Sequence, residues 1–127
     1  MNLLLDTATA LWLASDDSRL SVPARVAYED PVNVTFVSVV SIWEILVKNK
    51  VGKLPLTKPI DDLLDTMKSD GVQILQLKES AVMRVAGLPE LHRDPFDRIL
   101  ICQALDERLT IVTPDHLIKD HPINTIW

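Results

Sequence analysis

Asp6, Glu44, Asp97 and Asp115 each stand where a local structural role would account for them, yet their types and order also suit a shared chemistry. Asp6 closes the apolar run "NLLLD", and Asp115 follows "LTIVT" across Pro114. An acid just beyond a buried strand either caps the next helix or lines the crevice where open parallel sheets bind ligands. Glu44 lies in "SIWEILVKNK", where Ser41, Glu44 and Lys48 share a face at i, i+3 and i+7 of a mostly apolar helix. That polar stripe is either solvated or turned towards the other acids. In "DPFDRILICQA" (94–104), Asp94 before Pro95 reads as an N-cap followed by a first-turn proline. Asp97, a turn later, gains about 0.3–1 kcal/mol from the helix dipole.

If the four acids converge, two unit charges about 5 Å apart repel by about 3 kcal/mol at an effective dielectric near 20. Such a cluster needs cations, or it keeps some of its acids protonated. Carboxylate oxygens are hard ligands that suit Mg²⁺ or Mn²⁺ rather than zinc, and a site of that kind handles phosphates.

Strands and helices that could deliver these acids alternate along the chain. Apolar runs read as strands at "NLLLD", 34–39, 72–77, 109–113 and 123–127. Helical spacing appears over 9–17, 21–30, 41–52, 58–71, 78–87 and 94–109, with Gly52, Gly71 and Gly87 as stop signals. The expected fold is α/β, one domain over residues 1–127, with a mainly parallel sheet of about five strands and helices on both faces. No repeat or linker divides it.

Composition narrows the function further. With 18 acidic and 13 basic side chains the net charge is −5, which argues against coating nucleic acid by bulk electrostatics but not against a local acidic site neutralised by metal. Cys102 is the only cysteine and sits in an apolar run, so it is expected to be a buried thiol, with no disulfide framework and no Cys-based zinc site. No apolar run is long enough to span a membrane, and the aspartate at position 6 comes too early for a signal peptide, so a cytoplasmic protein is expected. His92, His116 and His121 have neither i, i+4 pairing nor cysteine partners and read as surface or loop residues.

Taken together, "LLLDT…LWL", "VSVVSIWEILVKNKVGKLPL", "GLPELHRDPFDRILICQAL" and "LTIVTPDHLI" resemble the PIN-domain family, in particular its VapC-type ribonuclease toxins of bacterial toxin–antitoxin pairs. The resemblance runs over nearly the whole chain. It implies that Asp6, Glu44, Asp97 and Asp115 bind Mg²⁺ or Mn²⁺ and act in cleavage of single-stranded or loop RNA, such as a tRNA or ribosomal RNA loop. Water, not a 2′-hydroxyl, would be the nucleophile. Thr7, Thr113, Ser41 and Asp94 are then expected to support the ligating carboxylates, with capping the favoured role of Asp94. Lys48, Lys50, Lys53, Arg93 and Arg98 are the candidates to hold RNA phosphates. A small cognate antitoxin and a second copy of the chain are the implied partners, with "SVPARVAY" and "IWEIL" as candidate contacts. The family subgroup often has a histidine soon after the first "DT", and here the stretch reads "DTATALW".

Two other functions compete. An aspartyl-phosphate phosphatase wants a second acid two residues after its nucleophile, where this chain has Ala8, and a receiver domain wants paired acids and a late lysine that are not evident. A non-catalytic PIN-like interaction module is the remaining alternative, disfavoured by the full acidic set.

Overall fold

The structure, a computed structural model, describes residues 1–127. Its centre is β1 (Asn2–Leu5), in which Leu3, Leu4 and Leu5 are all fully buried. Alternation along a strand sends Leu4 to one face and Leu3 and Leu5 to the other. An unbroken leucine run therefore requires a sheet covered on both sides.

Five parallel strands supply that sheet in the order β3-β2-β1-β4-β5: β2 (Val34–Ser38), β3 (Gln73–Leu75), β4 (Thr110–Val112) and β5 (Thr125–Ile126) flank β1. On one face, Ala10 of α1 (Thr7–Ala14), Ala24 and Ala27 of α2 (Val22–Glu29) and Met67 of α4 (Ile60–Ser69) pack with Leu3, Leu5, Val37 and Val112. On the other, Val40 of α3 (Val39–Lys50), Leu100, Ile101, Cys102 and Ala104 of α6 (Pro95–Glu107) and Ile118 of α7 (His116–Lys119) pack with Leu4, Leu75 and Ile111. The short α5 (Glu79–Met83) lies along α6. Cys102 is buried, as its apolar run implied, and burial pushes its thiol pKa up, away from reactivity. No helix is long and apolar enough to cross a membrane.

The expected α/β architecture is present, and the boundaries differ for identifiable reasons. The two outer strands are shorter than their apolar runs because each has a single neighbour, and pairing covers only residues facing it. α1 and α3 begin two residues early: Asp6 caps α1 through the Thr9 N–H, and Ser38 caps α3 through the Val40 N–H, so each strand runs straight into its helix. The segment 78–87 is not one helix, since α5 stops at Met83 and a 3₁₀ turn (Arg84–Gly87) completes it. Gly52 (φ 76°) and Gly71 (φ 90°) adopt the left-handed conformation that their positions implied.

The end of α6 had no glycine to announce it. Arg108 itself takes the left-handed conformation (φ 56°, ψ 50°), and the next N–H, that of Leu109, returns 2.9 Å to the Ala104 carbonyl. This is a Schellman closure, fastened by Leu109 burying itself with Ala104 in the core. A side chain at such a φ costs about 1–2 kcal/mol, part of which glycine recovers. Arg108→Gly is therefore expected to raise stability by about 0.5–1 kcal/mol, read as a higher urea midpoint with an unchanged m value.

Candidate active site

The strand order reverses between β1 and β4, the point at which an open parallel sheet leaves a crevice at its carboxyl edge. Asp6 and Asp115 stand on its two sides. Asp6 is buried, with Oδ1 accepting the Thr9 N–H at 2.8 Å and Oδ2 accepting the Thr113 hydroxyl. The same Thr113 hydroxyl accepts the Asp115 N–H at 3.0 Å, so one threonine ties the ends of β1 and β4 together. Asp115 caps α7 with Oδ1, at 2.9 Å from the Leu117 N–H, and turns Oδ2 towards the crevice. Capping and site membership are not alternatives here, because a carboxylate has two oxygens and about four lone-pair positions.

The helical acids approach from α3 and α6. Glu44 is buried, so its stripe faces inward rather than into solvent. The Thr7 hydroxyl donates to Glu44 Oε1 and lies 3.0 Å from the Ser41 hydroxyl, and Lys48 one turn on is ion-paired with Glu44 Oε2. Asp94 caps α6, with Oδ1 accepting the Phe96 N–H at 2.9 Å, while Oδ2 lies 3.5 Å from Lys48. Asp97 follows with a mostly buried side chain. Burial, then the charges of Asp94, Glu44 and Asp6, push its pKa up to about 7, while His92 pulls it down. Burial also raises the pKa of Asp6, against the hydrogen bonds from Thr113 and Thr9.

His92 is not the surface residue that its lack of spacing implied. Its side chain is buried in the cluster, and Nε2 lies 3.0 Å from both Asp97 Oδ2 and Asp115 Oδ2. The tightest group is His92, Asp97 and Asp115, whose potential ligand atoms lie within 4.8 Å of one another, with Asp6 and Glu44 adjoining it. A histidine without i, i+4 spacing was invisible to a pattern search, because the loop after the 3₁₀ turn delivers it. His121 is also buried, donating through Nδ1 to the Leu117 carbonyl, whereas His116 is exposed.

The proposed phosphate-binding set also divides. Lys48 is engaged with Glu44 and Asp94 inside the acidic cluster rather than presented to solvent. Arg98 donates to the carbonyls of Pro89, His92 and Leu88, so it fastens a loop. Lys50, Lys53 and Arg93 are exposed and make no ion pair. The largest surface depression, lined by residues including Arg25, Tyr28 and Asp70, shares no residue with the carboxylate cluster.

The donor set fits a divalent cation: carboxylate oxygens predominate, and burial together with their mutual repulsion pushes the Asp97 pKa up to about 7. A raised carboxyl pKa means the folded state binds a proton that the unfolded state has released, so the metal-free protein loses stability as pH rises from about 4 to about 7. With EDTA present, the melting temperature is expected to fall between pH 5 and pH 8. Asp97→Asn should flatten that fall and be the more stable protein at pH 8. Parallel slopes for the two proteins in differential scanning fluorimetry would refute this account of Asp97.

The family model described as PIN domain matches residues 3–123. Ribonuclease VapC22 of Mycobacterium tuberculosis is 26% identical over 129 residues, spanning 98% of this chain and 97% of its own. Among solved structures, DNA-bound VapBC from Salmonella typhimurium is similar with a TM-score of 0.69 at 14% identity, covering 98% of this chain and 96% of that one. VapBC2 from Rickettsia felis, bound to a promoter DNA fragment, has a TM-score of 0.68 at 15% identity, with coverage of 98% and 97%. The match spans β2, β3, β4, nearly all of β1 and all four acids, and the chain belongs to the PIN domain family.

Proposed function

We propose that this protein is a metal-dependent endoribonuclease of the VapC type, the toxin of a toxin–antitoxin pair. The observation that carries the reading is the convergence of Asp97 and Asp115 at one partly buried point, with Asp6 and Glu44 adjoining, a set of carboxylate oxygens suited to a divalent ion. The similarity to Ribonuclease VapC22 over nearly the full length of both chains supports RNA as the substrate.

In this reading Asp6, Glu44, Asp97 and Asp115 would hold Mg²⁺ or Mn²⁺, which would supply activation of a water and offset charge on the leaving 3′-oxygen. The chain's own contribution is position. Thr113 orients Asp6 and Asp115 through one hydroxyl, Thr7 and Ser41 orient Glu44, and Asp94 fixes the first turn of α6 that carries Asp97. Lys48 offsets part of the charge on Glu44 and Asp94. Arg93, exposed beside the His92 loop, and Lys50 and Lys53 at the end of α3 are the cations left to meet RNA phosphates.

The resemblance and the VapBC and toxin–antitoxin complexes named among the structural neighbours support an antitoxin as partner, and the resemblance implies a homodimer as the working form. Both predicted contact segments expose apolar side chains: Val22 and Val26 on α2, and Trp43 and Leu46 on α3. Such unpaired apolar faces suit protein contacts.

Purified protein with Mn²⁺ or Mg²⁺ is expected to cut a mixed single-stranded RNA pool, to stop in EDTA, and to lose at least two orders of magnitude of activity as Asp97→Asn. Cutting by that variant at the wild-type rate would sink the site assignment. Failure of the folded, antitoxin-free protein to cut any pool would favour a non-catalytic binding module. Arg93→Ala is expected to weaken RNA binding and lower the slope of log affinity against log salt by about 0.7, the value for one single-strand phosphate contact. An unchanged slope would place Arg93 outside the RNA path.

A further inference from the structure

Three features surround His92 that a surface loop residue does not need. Its ring Nδ1 accepts the backbone N–H of Asp94 at 3.1 Å. Its Nε2 lies 3.0 Å from an oxygen of Asp115, in hydrogen-bond geometry, and 3.0 Å from an oxygen of Asp97. The Arg98 guanidinium, reaching back from α6, holds the carbonyls of Leu88, Pro89 and His92 itself, which fixes the loop that delivers the ring.

Distance alone admits two roles for this imidazole. Separations of 3.0 Å suit a hydrogen bond, and they also match the edge between neighbouring ligands about 2.1 Å from an octahedral metal ion. The Asp94 N–H separates them. A neutral imidazole carries one proton, and a nitrogen that accepts a hydrogen bond cannot bear it. With Nδ1 accepting from Asp94, the proton sits on Nε2, which points at the carboxylates as a donor and has no lone pair for a metal. Coordination through Nε2 would move the proton to Nδ1, against the Asp94 N–H, and cost the hydrogen bond that orients the ring.

We propose that His92 is a positioning residue: its Nε2–H, held in one tautomer by the Asp94 backbone, draws the Asp115 and Asp97 carboxylates together from outside the metal's coordination shell. This rests on the acidic cluster being the metal site. The ring joins the end of β4 to the first turn of α6, two elements whose acids would otherwise repel each other across the crevice. Nothing in this role calls for the ring to touch RNA.

The test is Mn²⁺ binding followed by electron paramagnetic resonance, with wild type, His92→Ala, His92→Gln and His92→Asn. Loss of a hydrogen bond to a ligating group typically weakens metal binding roughly 10–100-fold. His92→Ala is expected to show that loss. His92→Gln, whose amide nitrogen can occupy the place of Nε2, should recover most of it, whereas His92→Asn, whose amide falls at the place of Nδ1, should not. The Gln and Asn comparison stands even where the alanine variant fails to fold. Electron spin-echo modulation of wild-type bound Mn²⁺ should lack imidazole nitrogen coupling.

Nitrogen coupling that disappears in His92→Ala would make His92 a ligand and overturn the proposal. So would a folded alanine variant that binds Mn²⁺ as tightly as wild type or more tightly, which would make the ring a placeholder displaced by metal. A wild-type protein that binds no Mn²⁺ would remove the metal-site reading together with this inference, whereas binding lost in Asp97→Asn and unaffected in His92→Ala would remove this inference alone.

Discussion

Like charges gathered in a partly buried crevice constrain the rest of this structure. The four acids at the carboxyl edge of the sheet, with Asp94 beside them, repel one another, and burial strengthens the repulsion by removing the water that would screen it. The fold answers with fixed donors. Three helix N-termini end on these carboxylates, at Asp6, Asp94 and Asp115, so that backbone N–H groups and helix dipoles face the negative charge. Thr7, Thr113, Lys48 and His92 supply the side-chain partners. The compensation is incomplete, and burial, then the charges of Asp94, Glu44 and Asp6, leave Asp97 with a pKa raised to about 7.

That incompleteness separates a functional cluster from a set of caps. A carboxylate needed only to fasten a local turn uses one oxygen and leaves the other exposed, as Asp30 does between α2 and β2, where it accepts the Val32 N–H. Asp6 and Asp115 also use one oxygen for the cap, but the second is turned inward to a threonine or a histidine. The sheet makes this possible. β1 and β4 are parallel neighbours that end together, and two short strand-to-helix connections project their acids from the same edge.

Much of this was legible in the residues. A leucine triplet with no polar alternation demands a doubly covered strand, and recurrence of such runs between helical segments demands a parallel sheet. Asp94 followed by proline announces the start of α6 because its chemistry is local. The end of α6 was not legible, since Arg108 adopts its left-handed conformation only because Leu109 gains a place in the core. The short outer strands were also beyond local reading, because their length is set by how much of a neighbour they face.

For the site, the sequence by itself determined which acids were available and that strand ends and helix starts would carry them, because capping, periodicity and apolar runs act within a few residues. Only the tertiary structure decided which partners each acid has. Lys48 became an internal counter-charge and Arg98 a fastener for a loop, although both read as free cations. His92, without any spacing motif, came to lie between Asp97 and Asp115. The reason is physical: the energy of a buried charge depends on every group within a few ångströms, and those neighbours come from parts of the chain as much as 46 residues apart for Lys48 and 107 for the Asp6 and Thr113 pair.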